Sequence, residues 1–498
     1  MTAIHSTSTM LSTFISSSSR STAVRSNMLS PSNLIETPVV LGFGGVSVDL
    51  LATVASFPNP DDKIRSTSMK VQGGGNAGNA LTCAARLGLN ARLISKVAND
   101  VQGRGVLEEL RADGVDVSFF VVSEEGNSPF TYVIVDNQTK TRTCIHTPGS
   151  PRMTPDDLTT STVSSALNGV QLAYFDVRLH ETALVVAHEA NKRGIPILID
   201  AERLREGLDE FLNLSDYVMC SAKLPQAWTK APTVSSALVS MLLRLPKVKF
   251  VIVTLGADGC IMLERSITVP ADDATIEEMD VDNLLKLLKQ KLDCGQTAPT
   301  CVSSGITRLQ AKGVGSVCGR LFLGTAEKIP EPELVDTTGA GDAFIGAILY
   351  AICTNRPPEQ MLPFAAQVAA ISCRALGART GLPRLSDPRL TPFLVNVHRL
   401  LLRWWWSEER NAWKTCWKVW DGRHRRQWRE GYFRQIRECR DCRYCWDGGQ
   451  LGLWHIRDGG DLGLWHIWNG GYLRLRCRWS CLQQVARSVT HLVACDRD

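Results

Sequence analysis

The sequence predicts an α/β fold, a three-layer α/β/α domain with a small β-sheet lid. Strand-like runs such as "LAYFDVRL" and "IPILIDA" alternate with helical stretches such as "ETALVVAHEANKRG", which predicts βαβ units and a largely parallel sheet. Residues 116–149 contain short strand-like runs joined by turn residues, which predicts an antiparallel accessory sheet, the lid. An apolar share of 44% and a charged share of 21% are typical of a globular protein with an ample core.

The N-terminal segment, residues 1–37, is predicted to lie outside the folded domain. Its first 35 residues contain eleven Ser, no Asp or Glu, and the basic residues Arg20 and Arg25. This composition is typical of an organellar transit peptide, especially a plastid one, and a disordered Ser-rich extension without a targeting role is the alternative. The predicted location is therefore plastid or cytoplasmic.

The folded domain is predicted to span residues 38–395. It opens with "PVVLGFGGVSVDLLATV", which indicates a strand, a glycine break and a second strand, and "GGGNAGNALTCAARLGLNARLISKV" indicates a glycine turn, a helix and a strand. Residues 265–324 interrupt the pattern and are interpreted as an insertion on the rim, with "IEEMDVDNLLKLLKQKLD" as one amphipathic surface helix.

The tail, residues 396–498, differs from the rest in composition and is predicted to lie outside the functional fold. From Arg403 onward it carries a net charge of +7, 12 of the 13 Trp, seven of the 16 Cys and three repeats of eleven residues. A basic, Trp-rich stretch could stack on single-stranded nucleic acid. Cys439, Cys442 and Cys445 have zinc-like spacing but lack a partner Cys or His pair.

The body of the chain has a different character from the tail. Since the whole chain has a net charge of +5, the body carries −2, which argues against a nucleic-acid surface on it. Its nine cysteines follow no repeated spacing, which favours reduced thiols in an intracellular protein. No run of about 18 apolar residues indicates a membrane span.

The stretch "DTTGAGDAFIGA", residues 336–347, carries the strongest chemical signal. Gly339, Ala340 and Gly341 precede an apolar helical run, so backbone N–H groups and the helix dipole would form an anion hole for a phosphoryl group. Asp342 is then placed to accept a proton from a hydroxyl that attacks the γ-phosphorus. A helix N-cap role for Asp342 is the alternative. No Walker loop is present.

Four blocks in fixed order suggest a known family: "GGVSVDLLATV", "GGGNAGNALTCAARLG", "VIVTLGADG" and "VDTTGAGDAFIGA". Over residues 38–390 the chain resembles the ribokinase-like (PfkB) carbohydrate kinases, and the "GGGNAGN" block is more similar to ketohexokinase and fructokinase members than to ribokinase. The resemblance implies a ribokinase-like fold and ATP-dependent phosphorylation of a hydroxyl of a small sugar such as fructose or ribose, with Mg²⁺ as cofactor.

The same resemblance implies residues for the sugar. Asp49, at the end of its strand, and Asn76 and Asn79, at the opening of the next helix, would hydrogen-bond sugar hydroxyls. Gly74 and Gly75 would let the backbone approach the sugar ring. For each Asn alone, a turn or cap role is the alternative.

Further positions follow for the nucleotide and for ions. Thr254, Gly256 and Gly259 match the ATP side of the family's cleft, where small residues admit phosphates and ribose. Asp336 and Thr338 fall where relatives bind a monovalent cation, K⁺ in this interpretation.

One further loop matches the family pattern, and one position departs from it. "CRALGARTG", residues 373–381, resembles the second cation and adenine-side loop. Ser221 and Leu224 stand where many relatives carry an Asn-x-x-Glu motif that organises magnesium, so Mg²⁺ would be held mainly through ATP phosphates and water.

Two other functions remain open. A nucleoside kinase would need a base-stacking aromatic residue in the lid cleft, and the candidates are Phe119, Phe120, Phe130 and Tyr132. A catalytically silent, partner-binding protein is the second alternative, against which the retained anion hole and Asp342 argue. The expected ligands are a small sugar and ATP, with no nucleic acid on the body and no membrane, and a homodimer is left open.

Overall fold

The computed structural model describes residues 37–266, 278–293 and 295–394, together with three strands nearer the C-terminus. The predicted transit segment therefore lies outside the described residues, apart from its last position. The chain divides into two compact units, Met1–Val395 and Asn396–Asp498.

The first unit contains 18 strands and eleven α-helices within the described residues. The strands are β1 Val39–Phe43, β2 Ser47–Val54, β3 Ser68–Gly74, β4 Asn90–Ile94, β5 Lys96–Ala98, β6 Val115–Asp116, β7 Val121–Ser123, β8 Phe130–Asp136, β9 Arg142–Thr147, β10 Val170–Phe175, β11 Ile197–Ala201, β12 Tyr217–Ser221, β13 Phe250–Thr254, β14 Cys260–Arg265, β15 Glu278–Asp280, β16 Cys301–Ser303, β17 Thr307–Ala311 and β18 Gly315–Gly324. The helices are α1 Asn76–Arg86, α2 Val101–Ala112, α3 Thr160–Ala166, α4 His180–Lys192, α5 Leu208–Leu214, α6 Leu224–Thr229, α7 Val234–Arg244, α8 Val281–Gln290, α9 Ala340–Cys353, α10 Pro358–Ser372 and α11 Thr391–Leu394.

A large mixed sheet forms the centre of this unit. Its order is β15, β17, β18, β14, β13, β12, β11, β10, β1, β4 and β6, with β16 paired to β18. The strands from β13 to β6 along this order are parallel to their neighbours, whereas β14 is antiparallel to both β13 and β18. The predicted α/β class is confirmed.

Helices cover both faces of the sheet, because the central strands are apolar on both sides. In β1, Val40 belongs to the core under α1, α9 and α10, whereas its neighbour Leu41 belongs to the core under α4, α5 and α7. Successive strand residues point to opposite faces, so a strand buried on both faces reads as a continuous apolar run. The result is the expected three-layer arrangement.

The lid is a four-stranded sheet in the order β3, β2, β8, β9. Residues 116–149 supply only β8 and β9 to it, because β7 pairs with β5 instead. The antiparallel pairing predicted for residues 116–149 is present between β8 and β9, but the sheet also contains β2 and β3, and its β2–β8 pair is parallel, which the sequence did not predict. Strand-like alternation shows which residues are extended but not which strands pair, and this limits the prediction.

The segment predicted as an insertion extends one edge of the large sheet. In α8, Val281, Leu284 and Leu288 are buried, which agrees with an amphipathic helix, although the residues before Val281 are extended in β15. The Asp280 side chain caps α8 by accepting from the Asn283 N–H. Residues 319–324 of strand β18 pair with the whole length of β14, so β18 belongs to the main sheet.

The second unit is described by three antiparallel strands, β19 Arg443–Asp447, β20 Asp461–Trp468 and β21 Gly471–Arg478, in the order β19, β21, β20. Strands β20 and β21 lie in the second and third eleven-residue repeats. The zinc-like positions Cys439 and Cys442 lie outside the described residues. Among the helices described in the whole chain, none combines the length and apolar character that a bilayer span requires.

Candidate active site

A cleft of about 1170 Å³ lies between the lid and the carboxyl ends of the central strands. Asp49 and Thr131 line it from the lid, and Asp200 and Thr254 line it from the ends of β11 and β13. In open α/β sheets the crevice outside the carboxyl ends of the strands is the usual ligand site. The volume exceeds the needs of one small ligand and suits two substrates.

Helix α9 points its N-terminus at this cleft. Its cap, Gly339, has φ 74°, and a Cβ there would lie 2.4 Å from the Cβ of Ala378, so glycine is required for both reasons. The first i→i−4 hydrogen bond runs from the Ala343 N–H to the Gly339 carbonyl, 2.8 Å. The preceding N–H groups of Gly341 and Asp342 therefore have no partner within the helix. The Ala340 N–H differs, because it donates to the Thr337 carbonyl at 3.3 Å.

Asp342 lies in the first turn of α9 and lines the cleft. Its Oδ2 accepts a hydrogen bond of 2.8 Å from Nδ2 of Asn79. Burial raises the pKa of Asp342 to about 7, although the Asn79 hydrogen bond and the charges of Arg142 and Arg178 lower it. A carboxyl with a pKa near neutrality is suited to accept and release a proton at physiological pH.

Asn79, predicted to bind sugar, has both ends of its amide engaged by protein. Its Oδ1 accepts from Nε of Arg379 at 2.9 Å while its Nδ2 donates to Asp342, and the side chain is almost fully buried. Arg379 also donates from Nη2 to the Gly74 carbonyl at 2.8 Å. Sequence reasoning missed Arg379 as a site residue.

The glycines of the "GGGNAGN" block make room for these buried side chains. A Cβ at Gly73 or Gly78 would lie 2.4 Å from a guanidinium nitrogen of Arg379. A Cβ at Gly74 would lie 2.2 Å from the carboxylate of Asp49, and Gly74 is not among the residues that line the cleft. The glycine run was therefore the available signal for a buried side chain in the neighbouring loop.

Gly75, in the same block, combines a backbone conformation that favours glycine with close packing. It has φ 87°, and a Cβ there would lie 2.5 Å from the Gly45 carbonyl oxygen. Asn76 begins α1 as expected and lines the cleft. Its Nδ2 lies 3.5 Å from Oδ2 of Asp200, and its Oδ1 lies 3.4 Å from Nη2 of Arg178.

Asp49 lies near the start of β2, not at the end of a strand as expected. It lines the cleft although it is largely buried, and its Oδ1 accepts from Oγ of Ser47 at 3.0 Å. Burial raises the pKa of Asp49, and hydrogen bonds from Ser47 and Thr131 and the charge of Arg379 oppose the rise. The end-of-strand expectation failed because β2 continues into the lid sheet.

Of the three predicted nucleotide-side residues, only Thr254 lines the cleft. Gly256 begins a short helical turn and has φ 63°. A Cβ added at this position would have no atom within 4 Å. Gly259 has φ 85°, and a Cβ there would lie 2.1 Å from the Gly324 carbonyl oxygen, so it allows β14 and β18 to approach. Both glycines are explained locally by backbone conformation.

Asp336 and Thr338 lie directly before α9. The Oδ1 of Asp336 accepts from both the N–H and the hydroxyl of Thr338, at 2.9 and 2.7 Å, and its Oδ2 accepts from the Gly377 N–H at 2.9 Å. The Asp336 side chain is buried. It therefore ties the loop that precedes α9 to the loop of residues 373–381.

The lid reaches the start of α9 through Arg142 of β9. Its Nη1 donates to Oγ1 of Thr337 at 3.2 Å, which brings a guanidinium group close to the α9 N-terminus. Arg142 lines the cleft and was missed from sequence, since nothing in the strand "TRTCIHT" distinguishes it from a solvent-exposed residue.

At the departure from the family motif, neither residue is arranged as a magnesium ligand. Leu224 is buried in the core, and Oγ of Ser221 donates to the Glu202 carbonyl at 2.5 Å. No group of three or more His, Cys, Asp or Glu side chains within the described residues could hold a metal ion.

None of the aromatic candidates for base stacking lines the cleft. Phe120 and Phe130 pack against one core and Phe119 against the other. Tyr132 is half-exposed and lies between the cleft-lining residues Thr131 and Val133 in β8, so it faces the opposite side of the lid. Among the described residues, no Phe, Tyr or Trp lines the cleft.

Comparison with known families identifies the chain. The sequence pattern of the pfkB family carbohydrate kinases matches residues 39–281 and 316–385, more than half of the 498 residues. The chain belongs to this family of carbohydrate kinases. The resemblance inferred from the four ordered blocks is thereby confirmed, and the unmatched residues 282–315 fall within the segment predicted as an insertion.

Curated relatives of this kinase include mouse ribokinase and mouse ketohexokinase. The first is 23% identical over 365 residues, covering 72% of this chain and 96% of the relative, and the second is 23% identical over 355 residues, covering 69% and 98%. The equal identities do not separate the two subfamilies. Both relatives match almost their whole length.

Solved ribokinases share the fold. The Arabidopsis thaliana ribokinase complexed with ribose and ATP has a TM-score of 0.51 at 18% identity, covering 72% of this chain and 99% of that one. The Thermotoga maritima ribokinase has a TM-score of 0.50 at 21% identity, with coverages of 72% and 99%.

Proposed function

We propose that this kinase transfers the γ-phosphoryl group of ATP to a hydroxyl of a small sugar, with Asp342 as the general base. The observation that carries the proposal is the position of the Asp342 carboxyl, which lines the cleft in the first turn of α9, beside the backbone N–H groups at the start of that helix. The sugar hydroxyl gives its proton to Asp342 as its oxygen bonds to the γ-phosphorus. The bond from that phosphorus to the β–γ bridging oxygen breaks, and ADP leaves.

The charge of the transferring phosphoryl group is stabilised at the N-terminus of α9. The N–H groups of Gly341 and Asp342 supply the anion hole, and the helix dipole adds partial positive charge. The guanidinium of Arg142 contributes from the lid side, since it already contacts Thr337 next to this turn. The contact links closure of the lid to completion of the site.

The proposal also assigns positions to the two substrates. The sugar lies between Asp49 of the lid and Asn76 of α1, and the nucleotide lies toward Thr254. Mg²⁺ would be held mainly through ATP phosphates and water, because Ser221 and Leu224 stand in place of the family's Asn-x-x-Glu motif. A K⁺ ion near Asp336 would order the loop before α9, using the carboxylate lone pair that the three hydrogen bonds of Asp336 leave available.

A sugar is favoured over a nucleoside because no Phe, Tyr or Trp among the described residues lines the cleft, and these large aromatic side chains commonly stack on bases. The test is a panel of sugars and nucleosides with ATP and Mg²⁺, read by ADP release and by mass of the product. Phosphorylation of a sugar is expected. Turnover of a nucleoside alone would contradict the proposal, and absence of turnover with either class would support a catalytically silent protein.

A further inference from the structure

Three arginines surround one carboxylate oxygen on the wall of the cleft. Nη2 of Arg205 lies 2.5 Å from Oε2 of Glu202, Nη2 of Arg178 lies 3.6 Å from it, and Nε of Arg203 lies 3.9 Å from it. All three arginines line the cleft. One carboxylate cannot neutralise three guanidinium groups, so this arginine cluster, Arg178, Arg203 and Arg205, presents excess positive charge to the ligand space.

Nearby acids reduce this excess only in part. Asp176 approaches Nε of Arg178 at 3.9 Å, but burial raises the pKa of Asp176, and its oxygens already accept from the N–H groups of Gly45 and Arg178. Glu181 and Glu206 also line the cleft, without an ion pair to the arginine cluster in the described part of the chain. Clustered guanidinium groups remain more available to an anion than singly paired ones.

The backbone that carries Arg178 is strained. Val177 and Leu179, on either side of it, have φ of 57° and 54°, a region that a β-branched residue such as Val rarely adopts. The Asp176 carboxylate holds this turn by accepting from the Arg178 N–H at 3.0 Å. Strain of this kind persists where the structure needs a side chain in one direction, and here that direction is into the cleft.

The arginine cluster lies on the acceptor side of the cleft. Arg178 contacts Oδ1 of Asn76, the residue at the start of α1. Across the cleft, Nδ1 of His146 lies 3.0 Å from Oγ1 of Thr131, the neighbour of Asp49 in the lid sheet. Burial lowers the pKa of His146, and the charges of the three arginines lower it further. A sugar held between Asp49 and Asn76 would therefore have one end at the arginine cluster.

We infer that the acceptor substrate is an acidic sugar derivative, whose carboxylate, phosphate or sulfonate group is bound by Arg178, Arg203 and Arg205. This inference rests on the proposed kinase activity and specifies its substrate class. A planar guanidinium binds such groups through paired hydrogen bonds, and three of them discriminate against a neutral sugar, which brings no anion to balance the positive charge that Glu202 leaves. The other source of an anion at this position is the ATP polyphosphate.

The experiment compares neutral sugars, the corresponding sugar acids and the sugar phosphates as acceptors with ATP and Mg²⁺. An acidic acceptor is expected to have a kcat/KM at least about 10²-fold above its neutral counterpart. Its KM should rise with ionic strength, because screening weakens an ionic contact. Equal kcat/KM for neutral and acidic acceptors would overturn the inference and leave the kinase proposal intact, whereas no turnover of any sugar would overturn the kinase proposal itself.

Variants separate the two sources of the anion. The variant Arg178→Met should raise the KM for the acidic acceptor by about 10-fold or more. Because Arg178 lies in a strained turn and its replacement could disturb folding, the exposed Arg203→Met is a second variant, with the same expected effect. Binding of a non-hydrolysable ATP analogue, measured by calorimetry without acceptor, should change less than about threefold. Arg193→Met is the matched control, since Arg193 pairs with Glu189 on α4 outside the cleft. Loss of analogue binding with an unchanged acceptor KM would assign the arginine cluster to the nucleotide and overturn the inference.

Discussion

The amide of Asn79 connects Asp342 to Arg379, with Nδ2 of Asn79 2.8 Å from Oδ2 of Asp342 and Oδ1 of Asn79 2.9 Å from Nε of Arg379. The three residues come from α1, α9 and the loop after α10. Because the donor faces the carboxylate, the hydrogen bond favours the ionised form of Asp342. Asn79, which also lines the cleft, is therefore placed to act on the proposed base.

The first prediction concerns Asp342 itself. Asp342→Asn should lower kcat by roughly 10²-fold or more with a smaller change in sugar affinity, since general-base contributions are typically about 10²–10⁴-fold. The variant should fold at least as stably as the wild type at pH 8, because its amide is not ionised in a site that disfavours charge. Steady-state kinetics and thermal unfolding measure both. A variant that keeps more than about half of the wild-type kcat would contradict the assignment of the base.

The second prediction is the pH dependence of kcat/KM. Because burial raises the pKa of Asp342 to about 7, the carboxylate that accepts the proton is lost as pH falls through 7. The kcat/KM should therefore decrease about tenfold per pH unit below about 6.5. The pH dependence of kcat/KM reports the pKa of this group in the free enzyme. The measurement is a pH profile in buffers of constant ionic strength. An acid limb near pH 4 would mean that Asp342 is not the titrating group.

A third prediction tests the role of Asn79. Asn79→Asp retains an acceptor for Arg379 but replaces the donor that faces Asp342 with a second carboxyl group, which should raise the pKa of Asp342 further. The acid limb of kcat/KM should move to higher pH by at least about one unit, a shift that a purely structural role would not produce.

The control for this shift is Asn213→Asp on the exposed end of α5, where the Asn213 side chain donates to the Asp209 carbonyl. Its pH profile should match that of the wild type. If Asn79→Asp is folded and active with an unmoved acid limb, the hydrogen bond does not set the pKa of Asp342.

Some of this arrangement was predictable from the sequence and some was not. The stretch "DTTGAGD" predicts the loop, the helix start and the carboxylate, because each depends on neighbouring residues. The pairing of β2 with β8, the contact between Asn79 and Asp342, and the approach of Arg379 join residues that are far apart in sequence. No local pattern specifies such contacts.

The arginine cluster illustrates the same limit. In "DAERLRE" the charges alternate as they would on a solvated turn, and Arg178 lies elsewhere in the chain. Only the parallel packing of β10 beside β11 brings the three guanidinium groups to one carboxylate. The sequence shows the glycine run from Gly73 to Gly75. It does not show that this run makes room for the side chains of Asp49 and Arg379, because that depends on how distant parts of the chain pack.

The fourth prediction uses two glycines. In Gly74→Ala the new Cβ would overlap the Asp49 carboxylate, so the free energy of unfolding should fall by about 1–3 kcal/mol. The KM for the sugar should rise, because Asp49 would be displaced in the cleft. Gly105→Ala is the matched control, since Gly105 lies inside α2 with no atom within 4 Å of a new Cβ. That change should stabilise the protein by about 0.5–1 kcal/mol.

Denaturant unfolding of both glycine variants distinguishes two explanations for a loss of stability: overlap with the Asp49 side chain at Gly74, and a general cost of replacing glycine by alanine in this protein. Equal loss of stability in Gly74→Ala and Gly105→Ala would contradict the close contact with Asp49. A stable Gly74→Ala with an unchanged KM would show that Asp49 can move without affecting sugar binding.

The fifth prediction concerns the monovalent cation. Asp336 connects Thr338, directly before α9, to Gly377, so a K⁺ ion that orders these two loops would also order the N–H groups that receive the phosphoryl group. Turnover should therefore be faster in K⁺ than in Na⁺ or in a bulky organic cation at matched ionic strength. The alternative is that no cation is needed, because the three hydrogen bonds of Asp336 hold the two loops without an ion. Equal kcat and equal KM for ATP in all three salts would establish that second case and leave the kinase proposal standing.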